Sequence, residues 1–395
     1  MNLKNFFNLF CLFYYYLICN YFFAFIKAKR VSSQYIENVF NTSYKKNALF
    51  IYITEPFLTR RNYNMHQNRV QAYIFATFCK QFGYNVDVVD ESVNTLDLDK
   101  HYDLIIDSHP KKKSFYEKNV KDDSKKIVYL TGSNPEFSNQ QERQRILDVN
   151  RRRNSNLKPK RNCLEFKGDV IESFNSIFLI GNTTTKSTYS NFSIPIMTVN
   201  NSGNSFFSYP KFSEKQSNSF LFLSSSSQVH KGLDLLLDVF SKHNQFNLYV
   251  CSDFKSENDF FDLYKDELTA FSNIKGIGML DLKGRHFQSI LNICSYLVLP
   301  SCSEGMSGAV LTAMSAGLIP IISDRCGVDY ISHEYPLESF LNPDTFLSIL
   351  TEFSSKSVVW IQEEGLRFRE IYNQHYTIQN YQKMILDNIK ATILL

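Results

Sequence analysis

Short apolar runs of strand length alternate with longer segments of helical character along most of this 395-residue chain. The run ALFIYIT at 48–54 is followed by the helix-like segment NRVQAYIFATFCKQFG at 68–83 and then by the run YNVDVVD at 84–90. Such alternation is typical of a parallel β-sheet covered by helices, because a helix supplies the long crossover between parallel strands. Further runs of the same kind lie at 102–109, 126–132 and 176–182.

The alternation restarts after a polar stretch, KFSEKQSNS, at 211–219. An architecture that occurs twice predicts an α/β fold of two Rossmann-like, doubly wound domains facing across a cleft, with ligands at the carboxyl ends of the strands. We expect the domains at 47–212 and 213–365, followed at 366–395 by a C-terminal helix that crosses back to the first domain. The expected strands of the second domain are 220–225, 246–252, 295–301 and 319–323, with a helix at 233–243.

The N-terminal segment, 1–46, is rich in aromatic residues, and 6–26 is almost wholly apolar. It is long enough to span a bilayer, but Asn8 and Asn20 interrupt it. Three interpretations stay open: a spanning anchor, an interfacial helix on the inner leaflet, and a helix packed on the protein. Lys27, Lys29 and Arg30, directly after 6–26, predict a cytoplasmic location for the rest of the chain.

The net charge of +4 is unevenly distributed. Residues 111–161 hold 15 Lys/Arg against 6 Asp/Glu, which is +9 and leaves −5 for the remainder. Such a region suits a phosphate-bearing partner or an anionic lipid surface, and a plain solvated face is the alternative. No nucleic-acid-binding signature accompanies the charge, so nucleic acid is not an expected partner.

The eight cysteines are scattered and none forms a CxxC pair. Neither a disulfide framework nor a structural metal site is therefore expected, and reduced cytosolic thiols fit better.

The segment LPSCSEGMSGAVLTAMSAGLIPIIS, at 299–323, has the order strand, loop, helix, strand. Gly305 and Gly308 would let the backbone approach a ligand, and Ser307 could cap the helix, whose free N–H groups suit a diphosphate. Glu304 would repel a phosphate but can accept hydrogen bonds from sugar hydroxyls. The alternative is that Glu304 only complements the helix dipole.

A second junction, SSSSQVHKGLDLLLDVF at 224–240, again leads from a strand through small residues into a helix. Lys231, followed by Gly232, can neutralise a phosphate as a point charge. An ordinary surface lysine is the alternative.

Together, HKGLDLLLDVF and LPSCSEGMSGAVLTAMSAGLIPIISDRCGVD resemble glycosyltransferase family 4 (group 1), whose members are retaining enzymes with the GT-B fold. The chain is especially similar to a bacterial subgroup with the motif PSCSEGxxG…TxMxxGLIPIxS. The segments at 130–146, 151–161 and 178–182 share this resemblance, which extends over roughly 48–330.

The resemblance implies that Glu304 contacts the hydroxyls of the donor sugar and that Lys231 contacts the donor diphosphate. His109, at the end of the run YDLIIDSH, is the candidate histidine near the donor sugar, with an ordinary surface histidine as the alternative. His66 and Asn68, in NMHQNR, are candidates near the cleft and acceptor, with ordinary surface residues as the alternative. The remaining expected donor-binding residues are Ser303, Gly305, Met306, Ser307, Gly308, Thr312, Ser226, Gly232 and Arg325.

The chain departs from the family pattern at two positions. Thr312 stands where the family usually has a second glutamate that holds the ribose, and Ser226 stands where it has an arginine. We expect Arg325 to supply the missing positive charge.

The resemblance implies a metal-independent, retaining, hexosyltransferase-type glycosyltransferase without a cofactor. It would move a sugar from a nucleotide-sugar to a glycan or lipid-linked acceptor, in surface polysaccharide or glycoconjugate biosynthesis. We expect it in the cytoplasm or at the inner face of the plasma membrane, with membrane contact through 6–30 and 111–161. A non-catalytic nucleotide-sugar-binding scaffold and a GT-B epimerase or phosphorylase are the alternatives.

Overall fold

A computed structural model describes the chain over the ranges 34–58, 67–93, 98, 100–110, 118–205, 208, 211–329 and 343–393. The N-terminal segment 6–30, the lysines at 111–113 and His66 lie outside the described residues. Among the described residues, no helix is long and apolar enough to cross a membrane. Contacts divide the chain into two compact units, one of Met1–Ile106 with Lys118–Ser124 and the other of Asp107–Glu117 with Lys125–Leu395.

The first unit contains a sheet in which strand β3 lies between β1 and β2. β2 and β3 are parallel and β1 is antiparallel to β3. The β-branched and aromatic side chains of β2 and β3 are nearly all buried, as expected for strands of a sheet that is covered by helices. The elements are β1 (Tyr35–Ile36), β2 (Lys46–Tyr52), α1 (Glu55–Leu58), α2 (Gln67–Gln81), β3 (Tyr84–Asp90) and β4 (Tyr102–Asp107).

The second unit contains the later part of β5 together with β6 and β7, and β6 pairs in parallel with both of these strands. The longest helix here, α3, begins at Pro135, directly after Asn134, whose side chain accepts from the Glu136 backbone N–H and caps the first turn. The elements are β5 (Val120–Leu130), α3 (Pro135–Arg153), α4 (Gly168–Ile171), β6 (Ser176–Ile180), α5 (Thr183–Ser187) and β7 (Ile196–Val199).

A five-stranded parallel sheet follows in the same unit, with the strand order β10-β9-β8-β11-β12. Strands β8 and β11 are central neighbours, so their carboxyl ends lie side by side. The elements are β8 (Gln216–Leu223), α6 (Gln228–Lys231), α7 (Leu233–Phe240), β9 (Asn247–Cys251), α8 (Asn258–Leu263), α9 (Lys265–Thr269), β10 (Ile274–Gly276), α10 (Arg285–Ile293), β11 (Cys294–Leu299), α11 (Gly308–Ser315) and β12 (Ile319–Ile322).

Three helices complete the chain: α12 (Pro343–Ser354), α13 (Val358–His375) and α14 (Ile378–Ile393). The sequence predicted a single terminal helix, and the structure has two because α13 ends at His375. The Tyr381 hydroxyl of α14 lies 3.0 Å from the Tyr129 hydroxyl of β5, so the last helix packs against this strand.

The predicted α/β architecture with parallel sheets is confirmed. The domain bounds 47–212 and 213–365 stay a prediction.

Candidate functional site

Two strand–loop–helix junctions meet at the carboxyl edge of the five-stranded sheet. One leads from β8 into α6, and the other leads from β11 into α11. The backbone N–H of Cys302 donates to the His230 carbonyl at 2.9 Å, which joins the second loop to the last turn of α6. Each junction was predicted from the sequence, and their contact is a property of the neighbouring strands.

Gly232 permits the close approach of the two junctions. It has a φ of +81°, and a Cβ atom there would come within 2.6 Å of Cγ and 2.7 Å of the carbonyl oxygen of Pro300. Any other residue would be strained in this left-handed conformation and would also collide with Pro300. The structure thus explains why glycine follows Lys231.

Glu304 and Lys231 form an ion pair at this meeting point. Glu304 Oε1 accepts hydrogen bonds from Lys231 Nζ and, at 2.7 Å, from the Ser301 hydroxyl. Glu304 is 8% exposed, so little water competes for its carboxylate. Burial alone would raise the pKa of Glu304, but the positive charges of Lys231 and Arg161 lower it to about 2. The carboxylate is therefore ionised at neutral pH.

Arg161 is a second cation near this carboxylate and was not among the predicted site residues. Arg161 is half-buried. Its Nη2 atom lies 3.9 Å from the position that a Cβ atom added to Gly132 would occupy. Gly132 precedes Ser133, whose hydroxyl donates to the Glu304 carbonyl at 2.5 Å. Burial lowers the pKa of Arg161, yet the charge of Glu304 raises it overall. Its membership of the similar segment 151–161 was the only sequence signal.

A buried histidine–carboxylate pair lies behind the ion pair. His230 is fully buried, with Nδ1 2.7 Å from Glu142 Oε2 and Nε2 2.6 Å from the Ser303 carbonyl oxygen. Burial lowers the pKa of His230, and each ring nitrogen faces an acceptor, Nδ1 the Glu142 carboxylate and Nε2 the Ser303 carbonyl. Neither residue was among the predicted site residues.

The loop that carries Glu304 also packs on the carboxyl ends of β5 and β6. The Thr185 hydroxyl donates to the Gly305 carbonyl at 2.7 Å. A Cβ atom on Gly305 would approach the carbonyl oxygens of Thr131 and Ile180, the latter to 2.7 Å. The space that glycine leaves at 305 is therefore occupied by protein backbone.

Helix α3 is tied to the region of the five-stranded sheet by ion pairs from partly exposed arginines to buried aspartates. Arg152 pairs with Asp234 and Asp238, and Arg153 donates to Asp238 at 2.6 Å. The buried Arg145 adds a 2.6 Å hydrogen bond to the Pro300 carbonyl, directly before the site loop. These contacts hold the helix that bears Glu142 against the site.

Thr312 and Met306 have protein partners. The Thr312 hydroxyl donates to the Gly308 carbonyl at 2.7 Å and accepts from the Asn204 backbone N–H at 3.0 Å. Met306 accepts from the Asn201 side chain through its carbonyl at 2.8 Å. Both residues are buried and join α11 to the segment after β7.

The other residues predicted in this loop lie at the start of α11. Ser307 is the N-cap position, but its side chain makes no capping hydrogen bond. Gly308 is partly exposed and is the first helical residue. Ser303 is buried, and its hydroxyl has no hydrogen-bond partner within the described part of the chain.

Ser226 and Arg325 are two further residues that the sequence predicted at the donor site. Ser226 is exposed in the loop before α6. The guanidinium carbon of Arg325 lies 5.0 Å from the Phe137 ring centroid, and its Nε atom is 3.5 Å from Asp324 Oδ1. The structure gives Arg325 an aromatic and an acidic neighbour, whereas Arg161 is the arginine whose charge acts on Glu304.

His109 and Asn68, predicted near the donor sugar and the acceptor, both lie within the residues that the structure describes. The backbone N–H of His109 donates to Asp107 Oδ1 at 2.7 Å, and its Nδ1 atom lies 3.2 Å from the Ser108 hydroxyl. Asn68 is half-buried in the first turn of α2, within the first unit. Their roles near the donor sugar and the acceptor stay predictions.

Glu142, His230 and Cys302 form a group whose donor atoms could surround a metal ion, and no other such group occurs among the described residues. The 2.7 Å separation of Nδ1 and Oε2 is that of a hydrogen bond. Burial raises the pKa of Cys302 to about 12, which keeps the thiol neutral and a poor ligand. The group is therefore better described as a hydrogen-bonded cluster.

Comparison with protein families matches residues 217–345, a third of the chain, to the family described as Glycosyl transferases group 1. This match covers the whole of both junctions. Comparison with curated protein sequences found no match. Residues 217–345 are therefore similar to group 1 glycosyltransferases, and they lie in the part whose motifs carry the resemblance seen in the sequence.

Solved structures similar to this chain include sucrose-phosphate synthase from Thermosynechococcus elongatus, with a TM-score of 0.59 and 10% identity over 88% of this chain and 99% of the other. Anabaena HepE, in complex with UDP and glucose, has a TM-score of 0.56 and 11% identity over 87% and 99%. TarM has a TM-score of 0.51 and 15% identity over 73% of this chain, which spans about half, 54%, of TarM. These similarities confirm the predicted GT-B fold.

Proposed function

We propose that the protein is a retaining glycosyltransferase of family 4 that transfers a hexose from a nucleoside diphosphate sugar to a glycan or lipid-linked acceptor. The observation that carries this proposal is the ion pair between Lys231 and Glu304, a residue of the loop that leads directly into the N-terminus of α11. One cation, one carboxylate and one helix N-terminus together match a ligand that has a diphosphate at one end and hydroxyls at the other.

Each member of the ion pair has one task in this proposal. Lys231 exchanges the Glu304 carboxylate for a phosphate oxygen, and Glu304 then accepts hydrogen bonds from sugar hydroxyls. The low pKa of Glu304, about 2, keeps it a pure acceptor at neutral pH. The N-terminus of α11 adds backbone donors for the second phosphate.

The proposed reaction breaks the bond between the anomeric carbon and the leaving phosphate oxygen, and forms one between that carbon and an acceptor hydroxyl oxygen on the same face. The hydroxyl proton passes to the departing phosphate. Negative charge grows on the diphosphate in the transition state, where Lys231 and Arg161 stabilise it electrostatically. Because these two cations supply the neutralisation, the proposal includes no metal or other cofactor.

A uridine nucleotide is the first donor class to test, because HepE was solved with UDP and glucose. The nucleotide is the part of the donor that needs this test, since Thr312 stands where the family has the acid that holds the ribose. We further propose an acceptor at the inner face of the plasma membrane, as a step in surface polysaccharide or glycoconjugate biosynthesis. The apolar segment 6–26 and the lysines at 111–113 support this membrane contact.

The experiment is incubation of the purified full-length protein with UDP-glucose, UDP-galactose and UDP-N-acetylglucosamine, with and without extracted bacterial membrane lipids. The measurements are UDP release and the anomeric configuration of the product by NMR. We expect acceptor-dependent UDP release with the donor configuration retained, and loss of both in E304Q. An inverted product would exclude the retaining mechanism, and undiminished turnover by E304Q would exclude the assigned site.

A non-catalytic nucleotide-sugar-binding scaffold is the second candidate, favoured by one observation. The Thr312 hydroxyl is already engaged by Gly308 and Asn204, so it offers the ribose less than a free carboxylate would. Binding of UDP-sugars by calorimetry without turnover on any acceptor would support the scaffold. Formation of an epimerised sugar, or turnover that requires inorganic phosphate, would instead identify an epimerase or a phosphorylase.

A further inference from the structure

His230, the residue before Lys231, connects three segments of the site although no part of it reaches the surface. Its Nε2 atom lies 2.6 Å from the carbonyl oxygen of Ser303, and its Nδ1 atom lies 2.7 Å from Oε2 of Glu142. Glu142 belongs to α3 and is 1% exposed. The ring therefore joins α3 to the loop that presents Glu304.

The hydrogen bond to Ser303 restrains the backbone of Glu304. The carbonyl of one residue and the N–H and Cα of the next lie in a single planar peptide unit. A donor that fixes the Ser303 carbonyl therefore fixes the direction from which the Glu304 side chain starts. A carbonyl oxygen only accepts, so Nε2 of His230 must carry the proton.

The Ser133 hydroxyl restrains the same residue from the other side, since it donates to the Glu304 carbonyl at 2.5 Å. The two peptide groups that flank Glu304 are thus both held by side chains from other segments. Of these two donors, only His230 is fully buried and is itself held by a carboxylate.

Glu142 is held in turn. Its Oε1 atom accepts from the backbone N–H groups of Lys160 and Arg161, at 3.1 and 3.3 Å. Burial would raise the pKa of Glu142, but these hydrogen bonds and the one from His230 lower it overall. One carboxylate therefore orients His230 and also fixes the backbone of Arg161, the second cation of the site.

We propose that the buried Glu142–His230 pair is a positioning device for Glu304, which holds the Ser303–Glu304 peptide so that the carboxylate meets Lys231. Neither member touches the donor, so both act through Glu304. The effect on turnover rests on the proposed function, whereas the effect on the contact between Lys231 and Glu304 does not.

Two substitutions separate the two arms of the ring. The glutamine amide in H230Q reaches the position of Nε2 and can still donate to the Ser303 carbonyl. The shorter asparagine amide in H230N reaches the position of Nδ1 and keeps a partner for Glu142 only. H230Q is thus the conservative rescue, and H230N is the matched variant that loses the restraint.

The first measurement needs no donor. Denaturant unfolding of K231M, E304Q and their double variant gives the coupling between positions 231 and 304 by a double-mutant cycle. We expect clear coupling in the wild-type and H230Q backgrounds and none in H230N. Absence of coupling in the wild type, or equal coupling in H230N, overturns the proposal. If H230N does not fold, E142A replaces it, with the same expected loss and the same contrary result.

The second measurement uses UDP-glucose, UDP-galactose and UDP-N-acetylglucosamine turnover by full-length protein. Misplacement of a reacting group by about 1 Å costs roughly 100-fold in rate, so we expect kcat of H230N to fall by at least 10-fold with KM for the donor changed less than threefold. H230Q should recover most of the rate. A fall in KM and kcat together, without rescue by H230Q, contradicts positioning. If the wild type turns over no donor, the proposed function fails, while the unfolding cycle still decides the positioning role.

Discussion

The ammonium of Lys231 donates a hydrogen bond to the carboxylate of Glu304, 73 residues further along the chain. The two residues follow neighbouring strands, β8 and β11, which pair in parallel and so end at the same edge of the sheet. Each supplies to the other what the proposed donor would supply, an anion for Lys231 and a hydrogen-bond donor for Glu304. A ligand that binds here must therefore replace the Glu304 carboxylate as the partner of Lys231, and the Lys231 ammonium as the partner of Glu304.

Loss of the Lys231 charge is expected to weaken binding of UDP. In K231M the ammonium is removed and the Glu304 carboxylate is left to repel the diphosphate. A hydrogen bond to a charged group contributes about 1.5–3 kcal/mol, so the Kd for UDP should rise by about 10- to 100-fold, measured by calorimetry. The control is K242M, at an exposed lysine after α7, which should bind UDP as the wild type does. Equal affinities of K231M and wild type would exclude Lys231 as a phosphate ligand.

We expect Arg161 to supply the positive charge that the family obtains from an arginine at the position of Ser226. In R161M we expect the Kd for UDP to rise by about 10-fold, because one charge-assisted contact is lost. R143M, at an exposed arginine on α3, is the matched control and should not change the Kd. R325M tests the position favoured by the sequence. If R325M weakens UDP binding and R161M does not, Arg325 is the missing cation.

The depressed pKa of Glu304 predicts a loss of stability in acid. The pKa is about 2 in the folded protein and about 4.3 in an unfolded chain. The ionised carboxylate therefore stabilises the fold fully above about pH 5, and this contribution falls as the pH is lowered through 4 toward 2. Urea unfolding from pH 6 to pH 3 should show a steeper decline for the wild type than for E304Q. Parallel curves for the two proteins would show that position 304 has no such linkage.

The fold followed from local pattern, whereas much of the site did not. Lys231 and Glu304 lie at strand–helix junctions with small residues, and those junctions are visible in the sequence because loops at the carboxyl ends of parallel strands carry ligands. Their contact depends on which strands pair, and that is set by the whole sheet.

The supporting residues were out of reach for the same reason. His230 lies beside Lys231 in a segment that carries the resemblance, but its partner Glu142 is 88 residues away and no local pattern joins the two. Thr312 is the opposite case, a residue that stands out in the sequence but has a structural role in the fold. The sequence showed a missing carboxylate there, but only the structure shows that its hydroxyl is bonded to the backbone of Asn204.

Gly305 should be intolerant of even one added methyl group, because its missing side chain is replaced by backbone from β5 and β6. A Cβ there would come within 2.7 Å of the Ile180 carbonyl oxygen and still closer to that of Thr131. Neither strand end can move freely, so G305A should lose about 1–3 kcal/mol of unfolding free energy, as overpacked sites do. Thermal or urea unfolding measures this loss.

The matched control is G168A, since a Cβ at Gly168, in the short helix α4, would meet nothing within 4 Å. Alanine also favours a helix over glycine by up to about 1 kcal/mol, so G168A should be as stable as the wild type or slightly more stable. G305A should in addition turn over UDP-sugars more slowly, because the shift that accommodates the methyl group displaces Glu304. A G305A protein as stable as G168A would show that the Gly305 backbone is not packed against Thr131 and Ile180 in solution.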